Sequence, residues 1–217
     1  MSLALPVIVI GAGGHARVLA DTLLRSGRPV LGFTDAKAAL RGTALLGLPI
    51  LGSDEVLESY SPREVELVNG IGSIDNRRPS VREQVQETLR AQGWRFARVI
   101  HPSATLSSYA TLGDGVQIMA GSVVQCGAVL GDGVIINTGS IVEHDVCVGD
   151  WSHIAPGAVV CGDVSIGRFC HIGAGVTVRQ GLSIGDGSLV GLGAAVVRST
   201  GTSSVLLGVP ARPFNSL

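Results

Sequence analysis

Hydrophobic residues in the C-terminal half of the chain recur with a period of six. From Ile100 to Val196 every sixth position is Ile, Leu or Val, seventeen times without a break. The fifth position of each hexad is small or apolar, as at Ala104 and Ser122. Neither an α-helix nor an ordinary sheet has this period, whereas a parallel β-helix with one short strand per hexad does. We therefore predict a β-helical prism with the aliphatic residues pointing into its core.

Glycine often follows the aliphatic position directly, as at Gly113, Gly131 and Gly149. Glycine adopts backbone angles that other residues avoid, and a corner of the prism requires such angles. We therefore expect these glycines to have unusual backbone conformations at the corners.

The first 99 residues follow a different pattern, in which short apolar strands alternate with amphipathic helices. Strands are predicted at four segments: 6–10, 29–34, 49–51 and 65–69. Helices are predicted at three segments: 17–26, 54–59 and 81–92. Ser53 and Ser80 are the expected N-caps of the last two helices. Such alternation is typical of a small parallel α/β domain. We predict two domains, a Rossmann-like domain at 1–99 and the prism with a C-terminal tail at 100–217.

A glycine-rich turn joins the first predicted strand to the first helix. It reads Gly11-Ala-Gly-Gly-His-Ala16, which fits the pattern GxGxxA, and Asp35 follows its first glycine by 24 residues. This arrangement is the context of a Rossmann phosphate-binding turn. A domain of this length supplies only one half of a dinucleotide site. We therefore expect a mononucleotide or nucleotide-sugar in preference to NAD, and a tight turn without ligand is the alternative.

The turn and the end of the second predicted strand contain five candidate nucleotide-sugar-binding residues. Gly11, Gly13 and Gly14 allow backbone amides to approach a phosphate at the helix N-terminus. His15 follows them and is placed to face a diphosphate or a sugar. Asp35 is a candidate for a hydrogen bond to a ribose or base, and a solvated strand end is the alternative.

Composition and charge narrow the class of function. The 217 residues are 46% hydrophobic and 15% charged and include 31 glycines, which suits a repetitive β fold better than disorder. The net charge of −1 gives no indication of a nucleic-acid or anionic-membrane partner. Because the sequence has neither a long apolar run nor a basic signal-peptide start, we expect a cytoplasmic protein without membrane insertion. The four cysteines contain no CxxC pair and are interpreted as reduced thiols, not metal ligands.

Three stretches resemble the bacterial nucleotide-aminosugar N-acetyltransferases of the bacillosamine and perosamine type, which are related to sialic acid O-acetyltransferases. The stretches are GAGGHA at 11–16, NTGSIVEHD at 137–145 and GVPAR at 208–212. The resemblance covers essentially the whole chain and implies a half-Rossmann domain followed by a left-handed parallel β-helix of hexapeptide repeats. It also implies three hexads per coil, so that residues 18 apart stack. The family assembles as a homotrimer with active sites between neighbouring prisms.

The reaction implied by the resemblance is transfer of an acetyl group from acetyl-CoA, without a metal, to the amine of a nucleotide-linked 4-amino-sugar. The substrate would be of the GDP-perosamine or UDP-4-amino-sugar type, for surface polysaccharide or glycan synthesis. The resemblance makes His144 the base and Asp145 the group that orients it. It makes the Gly162 N–H the oxyanion donor, and Asn137 supports the site.

Contacts to acetyl-CoA are also implied by the resemblance. The residues concerned are His153, Gly162, Gly173, Ala174, Gly191 and Pro210. His171 follows His153 by 18 residues and should stack on it; we interpret it as corner packing. Zinc held by three histidines, as in γ-class carbonic anhydrases, is a remote alternative because the spacings of 9 and 18 do not match.

Two alternative functions remain open at this point. A sugar O-acetyltransferase of the sialic acid type would not need a nucleotide in the glycine turn. A non-catalytic, nucleotide-responsive trimeric scaffold is the more remote alternative, because Glu143, His144 and Asp145 together suggest catalysis. The choice between UDP and GDP, and the sugar carbon that bears the amine, do not follow from the sequence.

Overall fold

The structure is a computed structural model that describes residues 4–72 and 80–214. The chain forms two compact units. Within the described residues, the first comprises 4–72 with 80–102, and the second comprises 103–214.

The first unit contains a five-stranded sheet and two α-helices. The strands of the sheet are β1 (Val7–Ile10), β2 (Val30–Thr34), β3 (Ala44–Leu45), β4 (Leu48–Gly52) and β5 (Glu66–Asn69). A further strand, β6 (Val99–Ile100), lies near the end of the unit in the chain and is not part of this sheet. The helices are α1 (Gly14–Arg25) and α2 (Val81–Ala91), with short 3₁₀ helices at Ala38–Leu40 and Asp54–Ser59. The sheet order is β3-β4-β2-β1-β5, in which only β3 pairs antiparallel with its neighbour. The predicted α/β class is confirmed.

Burial explains why these segments form the unit. All four residues of β1 are buried, as expected of a central parallel strand covered on both faces. Helix α1 buries Leu19 and Leu23, which lie one turn apart on the face toward the sheet. It begins at Gly14, earlier than predicted, with Gly13 as N-cap. The predicted cap of α2 is confirmed, because Ser80 Oγ accepts a hydrogen bond from Glu83 N.

Two details of the first unit differ from the sequence prediction. Ser53 stands at the N-cap of its 3₁₀ helix but makes no side-chain capping bond; its hydroxyl instead donates to Glu55 Oε2 at 3.2 Å. Strand β3 was not predicted. It has only two residues and pairs as a hairpin with β4, so it is too short to show an alternating pattern.

The second unit consists of very short strands, almost all of two residues. They are β7 (Thr105–Leu106), β8 (Thr111–Leu112), β9 (Gln117–Ile118), β10 (Val123–Val124), β11 (Val129–Leu130), β12 (Ile135–Ile136), β13 (Ile141–Val142), β14 (Cys147–Val148), β15 (His153–Ile154), β16 (Val159–Val160), β17 (Ser165–Ile166), β18 (His171–Ile172), β19 (Thr177–Val178), β20 (Ser183–Ile184), β21 (Leu189–Val190), β22 (Ala195–Val196), β23 (Val205–Leu207) and β24 (Arg212–Pro213).

These strands form the three faces of a prism. One face has the order β22-β19-β16-β13-β10-β7 and the second β20-β17-β14-β11-β8, while the third includes β24-β23-β21-β18-β15-β12-β9. From β7 to β19 each strand pairs in parallel with the strand three later in the chain, as His153 with His171. Residues 18 apart therefore stack, and the predicted left-handed β-helix is confirmed.

The core of the prism is the predicted aliphatic column. On the third face, Ile118, Ile136, Ile154, Ile172 and Val190 are all 0% exposed. Burial of each of these side chains removes apolar surface from water, which stabilises the prism. Backbone hydrogen bonds between successive coils satisfy the polar groups of the main chain. Ile100 departs from the prediction, since it is 37% exposed. It precedes the first complete coil, so no earlier hexad stacks on it.

The predicted reason for the glycines after the aliphatic positions is wrong. Gly113, Gly131 and Gly149 do not have positive φ. A Cβ at Gly113 would lie 2.6 Å from Asp132 N, on the following coil. The left-handed turns occur two residues later, as at Gly133 with φ 63°. The first set of glycines is therefore required by the close approach of successive coils, not by backbone angles.

The tail extends the third face of the prism. Strand β23 pairs in parallel with β21, and β24 returns antiparallel to β23. The peptide bond between Val209 and Pro210, in the connection between these strands, is cis. Across the described ranges, no helix has the length and apolarity needed to cross a membrane.

Candidate active site

The glycine turn follows β1 and leads directly into α1. Gly11 has φ 88°, a conformation that favours glycine, and its N–H donates to Thr34 O at 2.8 Å. Gly13 and Gly14 are exposed, and a Cβ at either would meet no atom within 4 Å. Space therefore remains beside the N-terminus of α1, where the backbone amides and the helix dipole favour an anion.

Asp35 bonds to the glycine turn itself. Its Oδ2 accepts a hydrogen bond from Ala12 N at 2.9 Å, and its Oδ1 accepts one from Lys37 N at 2.9 Å. Asp35 therefore fixes the shape of the turn, and its predicted contact with a ribose or base stays a prediction. His15 is half-buried in the first turn of α1, and its predicted contact with a diphosphate or sugar likewise stays a prediction.

A buried polar group behind this turn was not anticipated from the sequence. Asn69, at the end of β5, donates from Nδ2 to Arg82 O at 2.8 Å and to Gln86 Oε1 at 3.1 Å, while its Oδ1 accepts from Ile71 N at 3.2 Å. Burial lowers the pKa of the Arg82 guanidinium to about 9. These bonds tie α2 to the carboxyl end of the sheet, where ligands bind in open α/β folds. A lone Asn at a strand end gives no periodic signal that would have identified it.

The centre of the candidate site in the prism is the pair His144 and Asp145. His144 Nδ1 donates to Asp145 Oδ2 at 2.9 Å, with the proton on Nδ1, and Nε2 is then the basic nitrogen. The two side chains are 58% and 67% exposed, so a substrate can reach them. Asp145 has φ 59°, in the left-handed region that Asp tolerates better than most residues.

The surroundings of His144 make it more basic. The hydrogen bond to Asp145 raises the pKa of His144 most, and the negative charges of Asp145, Glu143 and Asp163 raise it further, against an opposing effect of desolvation. An imidazole with a raised pKa must lose its own proton before it can act as a base. The titration of His144 therefore sets the low-pH limb of the dependence of rate on pH.

Gly162, one coil after His144, lies directly beside the imidazole. A Cβ at Gly162 would be 2.5 Å from His144 Nε2 and 2.6 Å from Cε1. The ring therefore occupies the space that a side chain at 162 would fill. In the described part of the prism, no backbone carbonyl accepts a hydrogen bond from the Gly162 N–H. The structure thus places together His144, Asp145 and Gly162, which the sequence analysis predicted to act together.

His153 belongs to a second polar group. Asn137 Oδ1 accepts from Thr138 N at 2.8 Å, which directs Asn137 Nδ2 to donate to His153 Nε2 at 3.0 Å. The rings of His153 and His171 meet edge to face with centroids 5.0 Å apart, so the predicted stacking is confirmed. Burial lowers the pKa of His171. Asn137 therefore orients His153, whose predicted contact with acetyl-CoA stays a prediction.

The remaining predicted acetyl-CoA contacts lie on the later coils and the tail. Gly173 and Gly191 both follow aliphatic positions. A Cβ at Gly173 would lie 2.6 Å from Val190 O, and a Cβ at Gly191 would lie 2.3 Å from Leu207 Cδ2. Coil spacing alone accounts for Gly173, whereas the atom close to Gly191 is the end of a flexible leucine side chain. Ala174 and Pro210 are exposed. Their contacts with acetyl-CoA, and those of the two glycines, stay predictions.

The described residues show no cluster of three or more His, Cys, Asp or Glu side chains that is arranged to hold a metal ion. The four cysteines are free thiols, and burial raises the pKa of Cys170. The chemistry that the prism residues offer is a carboxylate-oriented imidazole with an N–H donor beside it. A base and an N–H donor on neighbouring coils are suited to acyl transfer.

Two sequence families match parts of this chain. Residues 6–89 match the family described as PglD N-terminal domain. Residues 109–142 and 127–162 match the family described as bacterial transferase hexapeptide (six repeats). A search of curated proteins gave no match.

Several solved structures are similar over the whole chain. The acetyltransferase domain of PglB from Neisseria gonorrhoeae in complex with acetyl coenzyme A is 36% identical, with a TM-score of 0.89, over 96% of this chain and 98% of that chain. PerB from Caulobacter crescentus in complex with CoA and GDP-perosamine is 36% identical, with a TM-score of 0.88, over 99% of this chain and 100% of that chain. WeeI from Acinetobacter baumannii is 25% identical, with a TM-score of 0.82, over 97% of this chain and 100% of that chain.

Proposed function

The chain belongs to the nucleotide-aminosugar N-acetyltransferases of the left-handed β-helix family, and we propose that it acetylates the amine of a nucleotide-linked 4-amino-sugar with acetyl-CoA. The substrate is of the GDP-perosamine or UDP-4-amino-sugar type, and the product enters surface polysaccharide or glycan synthesis. The 2.9 Å bond between His144 and Asp145, with Gly162 beside the imidazole, carries this proposal. Similar structures that hold acetyl coenzyme A, or CoA with GDP-perosamine, support it.

The reaction proceeds without a covalent enzyme intermediate. The sugar nitrogen attacks the thioester carbonyl and forms the new C–N bond, while His144 Nε2 accepts a proton from that nitrogen. The Gly162 N–H donates to the oxyanion that develops on the carbonyl oxygen. When the C–S bond breaks, the proton on His144 leaves with the sulfur as the coenzyme A thiol. Asp145 keeps the imidazole oriented through both proton transfers.

The glycine turn is proposed as the site for the nucleotide diphosphate. Its support is the open space beside Gly13 and Gly14 at the start of α1, together with the bond from Ala12 N to Asp35 that holds the turn. We place the reaction in the cytoplasm, where acetyl-CoA and nucleotide-sugars are made. Free thiols on all four cysteines agree with a reducing compartment.

Acetyl-CoA consumption with a panel of substrates tests this function. The panel contains a GDP-linked and a UDP-linked 4-amino-sugar, each with its 4-hydroxy counterpart, and free sialic acid. Coenzyme A thiol release should be fast with one amino-sugar and slow with both 4-hydroxy compounds. Release with sialic acid alone would favour the O-acetyltransferase, and no release with any compound would favour the scaffold.

Valine at position 14 should selectively weaken binding of the nucleotide-sugar. Gly14 has no neighbour within 4 Å and its φ lies outside the left-handed region, so a side chain should disturb only a bound phosphate. KM for the sugar should rise at least about tenfold, which corresponds to about 1.4 kcal/mol of binding free energy. KM for acetyl-CoA should not change. Gly201→Val, at an equally open position in the prism, is the matched control. Unaltered sugar kinetics in Gly14→Val would mean that the turn binds no ligand.

We also propose that three chains form a homotrimer. Large apolar side chains on the prism are exposed, including Tyr109 at 81%, Val129 at 43% and Leu192 at 84%. Exposed apolar residues of this size often mark protein interfaces. Sedimentation at micromolar concentration should give three times the chain mass of 22.2 kDa. A stable monomer under those conditions would refute the trimer.

The Asp145→Asn variant should shift the pH dependence of the reaction. The hydrogen bond and charge of Asp145 raise the pKa of His144, and activity requires neutral His144. The acid limb of kcat should therefore move to lower pH in the variant, and its plateau should fall by about 10–10² because the imidazole is less well oriented. A pH profile of initial rates at saturating substrates measures both effects. An unshifted acid limb would show that another group titrates.

A further inference from the structure

One corner of the prism repeats the same left-handed turn on successive coils. Gly127, Asp145, Asp163 and Gly181 occupy this turn with φ of 73°, 59°, 58° and 67°. The coils are joined there by regular backbone bonds, for example from Asp145 N to Cys126 O at 3.1 Å. Aspartate fills two of these four positions, so the turn itself does not require glycine.

The reason for glycine at position 127 lies in the Asp145 side chain. A Cβ at Gly127 would be 2.3 Å from Asp145 Oδ1 and 3.3 Å from Cγ. The other carboxylate oxygen, Oδ2, accepts the hydrogen bond from His144 Nδ1. We propose that Gly127 is a positioning residue for acetyl transfer, because its missing side chain leaves the space that the Asp145 carboxylate occupies while it orients His144. This inference rests on the proposed function, in which His144 is the base.

Five other left-handed glycines of the prism have open space where Gly127 faces the carboxylate. A Cβ at Gly121, Gly139, Gly157, Gly175 or Gly193 would meet no atom within 4 Å, although their φ values of 65–67° match that of the turn. Gly127 therefore differs from these positions by its contact with the carboxylate and not by its backbone. Alanine at any of these sites costs the same turn strain, and only alanine at 127 must also move Asp145.

A side chain at 127 should change function more than stability. The atom it would meet first is the end of a rotatable carboxylate on a side chain that is 67% exposed. The carboxylate can rotate away without disturbing the core, but Oδ2 then no longer accepts the hydrogen bond from His144 Nδ1. The other charged groups that act on His144 are Glu143 and Asp163, whose charges also raise its pKa.

The test compares Gly127→Ala with Gly121→Ala, a matched left-handed position that meets no neighbour. NMR titration of the His144 ring should show a lower pKa in Gly127→Ala, as in Asp145→Asn, and no shift in Gly121→Ala. At saturating substrates, kcat of Gly127→Ala should fall by about tenfold, with an acid limb at lower pH, while thermal unfolding of the two alanine variants should be alike.

A double variant separates positioning from a structural role. If Gly127 acts through Asp145, Gly127→Ala combined with Asp145→Asn should be no slower than Asp145→Asn alone. Multiplicative losses, an unshifted His144 pKa, or unfolding of Gly127→Ala but not of Gly121→Ala would each overturn the inference. If the wild type itself transfers no acetyl group, the proposed function fails, whereas the NMR titration still decides whether Gly127 positions Asp145.

Discussion

Replacement of His144 by alanine is expected to lower kcat by about 10²–10⁴, the usual range for loss of a positioned general base. The imidazole is the group whose Nε2 is free to accept the amine proton once Nδ1 is bonded to Asp145. Because the side chain is 58% exposed and lies outside the prism core, the fold should be retained. Steady-state rates with both substrates saturating, together with thermal unfolding, measure these two effects.

His144→Asn is the control for polarity, because an amide keeps hydrogen-bonding atoms but cannot accept the proton. It should be nearly as slow as His144→Ala, and Asp145→Asn should be less impaired than either. A kcat for His144→Ala within about threefold of the wild type, with chemistry shown to be rate-limiting, would mean that solvent or the substrate takes the proton. The site would then act by positioning and by the Gly162 N–H alone.

Alanine at position 162 should produce the second large loss, about 10² in kcat, because it displaces the base. The new Cβ would lie 2.5 Å from His144 Nε2, closer than any non-bonded contact allows, and 3.1 Å from Cδ2. The φ of Gly162 lies outside the left-handed region, so alanine brings no backbone strain. It also keeps the N–H that is proposed to stabilise the oxyanion. The loss should therefore come from the imidazole, and it is measured by kcat at saturating substrates.

A mutant cycle with His144→Ala identifies the cause of that loss. Once the imidazole is absent, alanine at 162 meets no ring, so Gly162→Ala should cost nothing further in the His144→Ala background. Gly201→Ala is the control, since its Cβ would meet no atom within 4 Å and its φ is likewise outside the left-handed region. Equal losses from Gly162→Ala with and without His144 would show that the substitution acts on something other than the base.

The fold could be predicted in detail because its determinant is local and repeated. A period of six in the aliphatic residues identified the prism core from the first complete coil to Val196, and the column from Ile118 to Val190 is fully buried. The alternation of strands and helices likewise identified the first unit. The short hairpin of Ala44–Leu45 was missed because two residues cannot show a period.

The site could be predicted only in part, because side-chain direction decides it. The resemblance assigned Gly162 a role as oxyanion donor, but the sequence did not show that the imidazole of His144 occupies the space of its missing side chain. Spacing also could not show that the Asp145 carboxylate lies against Gly127 on the preceding coil. The glycine turn gave a similar result: for Asp35 the sequence left open a ligand contact or a solvated strand end, and it did not show the hydrogen bond that the carboxylate accepts from Ala12 N.

The position of the acetyl group in the product is the most direct test of the central claim. The protein would be incubated with acetyl-CoA and the nucleotide-linked 4-amino-sugar that releases coenzyme A fastest, and the product analysed by two-dimensional NMR. The proposed reaction predicts a single acetamide at the sugar amine, formed in a one-to-one ratio with the released thiol and strongly reduced in His144→Ala. An acetyl ester on a hydroxyl with the amine left free would contradict N-acetylation.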